Sequence, residues 1–247
     1  MIQNYWRTYL MGSKNIIREG FSPKGLVEIF VAKGKPRHIP MGKVENPYNL
    51  PVYRDHRIDF SDCVLLETHR VHNIILNQGK NAVISSLTDP NSRFIARMAI
   101  GDRGTIPSDS TVPKTPSGSM TSLYYEVFRS DVEFLVKNTS ETVHEVRFVK
   151  TFVAKDIEIT AFSNQGKPVV NEVSLITADP TIQLFPRPDC VGPYTYPLAP
   201  PYPQNPVPPY NYPPQDELNF SIRTFKSIPF EKDNDITVTI RYTIYIE

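Results

Sequence analysis

Eleven consecutive residues, 236–246, constrain the fold more than any other stretch of the chain. Ile236, Val238, Ile240, Tyr242, Ile244 and Ile246 share one parity, and Thr237, Thr239, Arg241, Thr243 and Tyr245 share the other. A period of two held that long, in β-branched and aromatic residues, is the pattern of a half-buried antiparallel strand. Its second row is mostly threonine, which suits cross-strand pairing, so a central or near-central place in a sheet is expected.

The same signal recurs in shorter pieces at 25–32, 63–75, 93–100, 123–129, 132–136, 145–152, 156–162, 168–176 and 218–225. Turn chemistry separates many of them: Asn138-Thr139-Ser140, Asn164-Gln165-Gly166, Asp179-Pro180 and Asp233-Asn234-Asp235. About nine strands at short spacing predict an all-β fold, an antiparallel and jelly-roll-like β-sandwich. One helix is expected at 80–87, where Ala82, Val83, Ser86 and Leu87 fall at helical spacing and Asp89-Pro90 supplies the stop. Gly101-Asp102-Arg103-Gly104 reads as a turn whose glycines tolerate positive φ, and 108–120 as a loop. Residues 36–60 carry Pro36, Pro40, Pro47 and Pro51 without clear periodicity and read as a long irregular excursion.

Proline is the compositional outlier. Twelve of the 24 prolines lie between Pro186 and Pro214, with Tyr194, Tyr196, Tyr202, Tyr210 and Tyr212 threaded among them. Such a segment cannot be helix or central strand, because each proline lacks a donor and fixes φ; polyproline II is expected. Residues 1–22 show no clean period yet hold Tyr5, Trp6, Tyr9 and Leu10, and read as an N-terminal arm. The domain organisation is therefore an arm at 1–22 and one sandwich domain at 23–247, interrupted by the Pro/Tyr insertion 186–214. Neither arm nor insertion can bury a face within its own domain, so both are expected to be partner contacts, with their tyrosines, Trp6 and Leu10 as the contact residues.

Charge and cysteine usage exclude other classes. The formal net charge is +1, which leaves no electrostatic footprint for nucleic acid or an anionic membrane. No apolar run reaches the ~20 residues of a membrane span, and the first residues lack the apolar core of a secretory signal. Cys63 and Cys190 stand far apart without a CxxC partner, and read as two free thiols in a reducing compartment, a bridge between them staying open.

The chain shows little that would carry catalysis. His69 and His72, three apart on a strand, point to opposite faces and cannot chelate one ion. No G-x-S-x-G elbow, phosphate loop or H-E-x-x-H motif occurs. Asp55-His56-Arg57 and Asp102-Arg103 read as solvated charge pairs. A non-enzymatic protein without metal or cofactor is expected.

In order along the chain, several short motifs resemble a family of tailed-bacteriophage virion proteins from the neck, collar, baseplate and tail-fibre attachment regions. They are Asn77-Gln78-Gly79 before 82–87, Met98 to Gly101, Pro107-Ser108-Asp109-Ser110-Thr111, and Glu126 with Arg129. Residues 171–176 and 232–243 complete the series. The resemblance covers roughly residues 24–247 and lies in the order of the motifs. Ser174 departs from it, standing where the family has glycine, and so do 36–60 and 186–214. What it implies is a structural role in a virion, as a symmetric homo-oligomer in contact with other virion proteins, without nucleic acid or membrane. A receptor- or carbohydrate-binding module of a tail fibre is the alternative reading, and a glycan-degrading enzyme a third.

Overall fold

The computed structural model describes residues 23–44, 52–87, 94–139, 144–154, 168–178, 218–231 and 235–246. The arm, the insertion 186–214 and the expected strand at 156–162 lie outside them.

The alternation at 236–246 folds as anticipated. Strand β14 (Ile236–Ile246) pairs antiparallel with β1 (Pro23–Lys33) from Pro23↔Ile246 to Lys33↔Ile236. On its other side it pairs with β11 (His144–Val153), so it is an interior strand, with Val238, Ile240 and Tyr242 fully buried. Around it are β2 (Arg37–Val44), β3 (Val52–Asp59), β4 (Val64–His72) and β10 (Phe134–Thr139). Together they form a seven-stranded sheet in the order β2-β3-β10-β11-β14-β1-β4. Its β3–β10 pair is parallel and covers only two residues of each strand.

The second layer contains β5 (Ile74–Ile75), β6 (Phe94–Gly101), β9 (Glu126–Asp131), β12 (Val169–Ala178) and β13 (Leu218–Pro229). Their order is β5-β13-β12-β6-β9. A small hairpin, β7 (Thr105–Ile106) with β8 (Asp109–Pro113), stands apart. The main core lies between the two large sheets. Val27, Ile29, Phe152 and Ile240 of one meet Met98, Ile100, Val173 and Leu175 of the other, all essentially without exposure. The fold is all-β and sandwich-like, with one short helix among the described residues, as the sequence predicts.

Three expectations need correction. Within 36–60 the described residues are not irregular: β2 and β3 pair as an antiparallel hairpin from Arg37↔Asp59 to Val44↔Val52. Its residues are mostly half-exposed or exposed, so backbone pairing defines these strands and no apolar alternation marks them. Pro40 is tolerated because β2 is an edge strand, where a missing N–H costs no ladder bond. The loop 108–120 contains strand β8. And Gly101 and Gly104 are not positive-φ residues; among the described glycines only Gly34 and Gly42 are.

Gly101 and Gly104 are needed instead for close approach. A Cβ at Gly101 would sit 2.3 Å from the Tyr125 carbonyl oxygen, and one at Gly104 2.3 Å from that of Asn171. Residues 102–125 form a strap across the outward face of the second sheet; Gly101 lies beneath its Tyr125 end, and Gly104 lets the strap itself approach β12. Helix α1 (Asn77–Ser86) starts three residues earlier than expected and docks between this strap and β13. Its first turn uses Asn77 N–H to the Gly118 carbonyl at 2.8 Å, and Gln78 Nε2 to the Asn219 carbonyl at 2.5 Å. Gly79 lets the helix backbone touch β13: a Cβ there would be 2.2 Å from the Phe220 carbonyl oxygen.

Candidate functional site

The contact residues expected from sequence, Tyr5, Trp6, Tyr9, Leu10, Tyr194, Tyr196, Tyr202, Tyr210 and Tyr212, all lie outside the described residues. Four features of the described structure could carry function.

The first is a buried carboxylate. At a register shift between Val170↔Ile228 and Glu172↔Thr224, where the extra residues lie on β13, the consecutive side chains of Asn171 and Glu172 both reach the strap. Glu172 accepts the backbone N–H of Arg103 at 3.2 Å and Tyr125 at 2.8 Å on one oxygen, and of Tyr124 at 2.8 Å on the other. Asn171 accepts the Gly104 N–H at 2.6 Å and donates to the Asp102 carbonyl at 3.1 Å. Burial pushes the Glu172 carboxyl up to about 7, against the pull of its three N–H donors and with Asp102 adding to the rise. A raised carboxyl is what a general acid needs, but this one has no exposed surface and its oxygens are taken by backbone. Its role is to pin the strap. Ser174, where the resemblance has glycine, sits in regular register and gives its hydroxyl to Asn219, which in turn donates to the Thr121 carbonyl at 3.0 Å.

The second is a histidine pair. The β2–β3 hairpin curls back over the outward face of the first sheet, where His38 and His56 stack on Phe134 at centroid distances of 4.9 and 4.7 Å. His38 Nδ1 lies 3.0 Å from His56 Nε2, and His38 Nε2 lies 2.8 Å from Thr151 Oγ1, itself 2.8 Å from Thr239 Oγ1. His56 Nδ1 is buried without a partner. The tautomers that strand no buried N–H run one way: His56 Nε2–H donates to His38, His38 Nε2–H to Thr151, and Thr151 to Thr239. Asp55-His56-Arg57 is therefore not a solvated cluster throughout, since His56 is nearly inaccessible. Burial lowers both imidazoles, His56 to about 4, with His38 and Arg241 adding to its fall. A base depressed in the folded state binds fewer protons there than when unfolded. The stability it contributes is present above the ordinary value of 6.5 and is lost as pH falls toward 4. Acidification from pH 7 to 5 should thus loosen the hairpin, read as lower amide protection factors in β2 and β3 once the slower intrinsic exchange at acid pH is divided out. His38→Gln with His56→Gln should flatten that response.

The third is a groove of about 540 Å³ on the open half of the same outward face. Register explains it. One row across the strands reads Arg70, Glu28, Arg241 and the next His72, Leu26, Thr243, Arg147. Leu26 and Thr243 are short and form the floor, while the longer neighbours form walls. Arg241 Nε bonds Glu28 at 2.8 Å; Arg147 pairs with Glu145 and lies 3.6 Å from Asp55 of the hairpin. Among the described residues Arg70 has no carboxylate in reach. His72 opens into this groove, whereas His69 faces the other way, 3.1 Å from Glu67. The two histidines are on opposite faces, as their spacing predicts, and no cluster of metal-ligating side chains occurs among the described residues.

The fourth is the free edge of the first sheet. Strand β4 ends the strand order, and Val64, Leu65 and Leu66 on it are consecutive and exposed, at 60%, 43% and 55%. Unpaired strand edges template pairing with another chain unless charge, proline or a bulge blunts them, and β4 does bulge at Leu66, opposite Val31 and Ala32. Cys63 beside them is a half-buried free thiol whose pKa is raised by burial and by Asp62 and Asp59, which disfavours the thiolate; Cys190 lies outside the described residues.

Sequence reasoning placed the strands under the groove and the edge but identified neither. The only signal was the polar parity of 236–246, which names Arg241, Thr243 and Tyr245 as outward without saying what stands beside them. Compared with known proteins, the chain matches no family model, no curated protein and no solved structure.

Proposed function

We propose that this chain is a non-enzymatic structural component of a tailed-phage virion, from the neck, tail or baseplate region, acting as one subunit of a symmetric homo-oligomer and contacting other virion proteins. The observation that carries a subunit role is the β4 edge, whose exposed apolar triplet is costly to leave in water and which has no further strand beside it among the described residues. The phage context rests on the ordered motifs. In support of treating them as a unit, Asn77-Gln78-Gly79, Gly101, Asn171 and Glu172 all serve one structural device, the docking of strap and helix on the second sheet.

Quantitative mass spectrometry of purified particles tests the assignment: a fixed copy number supports it, and absence from particles ends it. Leu66→Lys should lower self-association in sedimentation while changing stability by no more than ~0.5 kcal/mol, as expected of an exposed position. Deleting residues 1–20 should block incorporation while the sandwich stays folded, and replacing Tyr202, Tyr210 and Tyr212 with serine should weaken it without changing the melting temperature. The alternative, a receptor- or carbohydrate-binding module, is favoured by the groove on the first sheet.

A further inference from the structure

We infer that the groove between β4 and β11 binds a carboxylated sugar, with Arg70 receiving the carboxylate. This rests on the groove alone and stands or falls separately from the particle assignment.

The volume, about 540 Å³, falls within the ~300–1,000 Å³ typical of small-molecule sites. Its electrostatics are divided. At the β4 wall Arg70 offers a planar fork of donors with no ion partner among the described residues, and His72 stands two positions along the same strand face. At the opposite wall the Arg147 charge is shared between Glu145 and Asp55. Between them the Arg241 charge is matched by Glu28. The net attraction for an anion is thus confined to one wall and amounts to about one charge, fitting a monoanion.

The rest of the lining selects the body of the ligand. Glu28 and Glu145 are acceptors, which suit hydroxyl donors and repel a second negative charge; a phosphate dianion or a polyanion is disfavoured. Thr243 on the floor offers a hydroxyl that can donate and accept. Leu26 beside it and the Tyr245 ring supply apolar surface for the C–H face of a sugar ring. One carboxylate, several hydroxyls and an apolar ring face together describe a uronic-acid-type residue. Arg70 is suited to the carboxylate because a free guanidinium binds it bidentately without first breaking an existing pair.

The test is calorimetric titration of the full chain with a galacturonate disaccharide, its neutral galactose counterpart and acetate. The acidic disaccharide should bind at least about tenfold more tightly than either of the others. Arg70→Ala should weaken it about tenfold or more with the melting temperature unchanged, since Arg70 is exposed and makes no ion pair among the described residues. Leu26→Trp, which fills the floor, should abolish binding even if the Arg70 variant proves hard to prepare. Equal affinity for the neutral disaccharide would overturn the role of Arg70. Acetate competing as well as the disaccharide would overturn the sugar, and no binding at millimolar concentration would overturn the site. Loss of binding with particle incorporation intact would leave the virion proposal untouched, and the reverse would leave this one untouched.

Discussion

Replacing Glu172 with alanine is expected to cost on the order of 4 kcal/mol, a fall of roughly 10 °C in melting temperature for a chain of this size. The carboxylate holds the N–H groups of Arg103, Tyr124 and Tyr125, on two separate stretches of the strap, and has no exposure. Alanine leaves three buried donors without an acceptor and a void beneath them. The effect should also depend on pH in a particular direction. Burial raises the carboxyl from 4.5 to about 7 in the folded state, so between those values the folded chain binds more protons than the unfolded one. Stability from this group is fully present below about 4.5 and declines as pH rises through about 7, by on the order of 3 kcal/mol. The histidine pair slopes the opposite way over an overlapping range, so the informative quantity is the difference between the parent and Glu172→Gln. That difference should shrink from pH 4.5 to 7.5 in urea denaturation. A difference that grows with pH would mean that the three N–H donors outweigh burial.

Arg129→Met is expected to cost about 3–5 kcal/mol, far beyond what an exposed ion pair contributes. Arg129 Nε and Nη2 meet the two Glu126 oxygens at 2.5 and 2.8 Å in a bidentate pair, with side-chain exposures of only 2% and 5%. Removing the guanidinium takes away the charge that faces the buried Glu126 carboxylate on both of its oxygens. Replacing both with apolar residues of similar volume should recover much of the loss, because the cost of desolvating two charges disappears with them. Denaturant melts of the two single variants and the double variant form the cycle. Additive single effects below about 1 kcal/mol would show that the pair is not a stabilising unit.

Glu126 and Arg129 also show where sequence reading stops. Three apart on a regular strand, they belong on opposite faces. The register slip between Ile100↔Phe128 and Gly101↔Glu126 inserts an extra residue, turns Val127 and Phe128 both inward, and brings the flanking pair onto one side. At Asn171 and Glu172 the extra residues lie on the partner strand β13, and both side chains again reach the same side. A bulge leaves almost no mark in composition, since it is a property of the paired strand as much as of the bulged one.

What the sequence by itself determined is the class of fold and the placement of its best-patterned strands. The 236–246 alternation specified both the strand and its buried face, because a one-residue slip would move Val238, Ile240 and Tyr242 into water. It specified the helix to within three residues, and the opposed faces of His69 and His72. Only the tertiary structure decided that 36–60 is a hairpin: its side chains are largely half-exposed, and a strand held by backbone pairing carries no hydrophobic period to read. The glycines at 101 and 104 were legible as necessary but not for the right reason, since closeness to a backbone 20 or more residues away is not encoded locally. The groove is the plainest case. Its residues come from positions 26 to 245, each merely polar or apolar in its own strand, and they become neighbours only because β4, β1, β14 and β11 pair in that order and register.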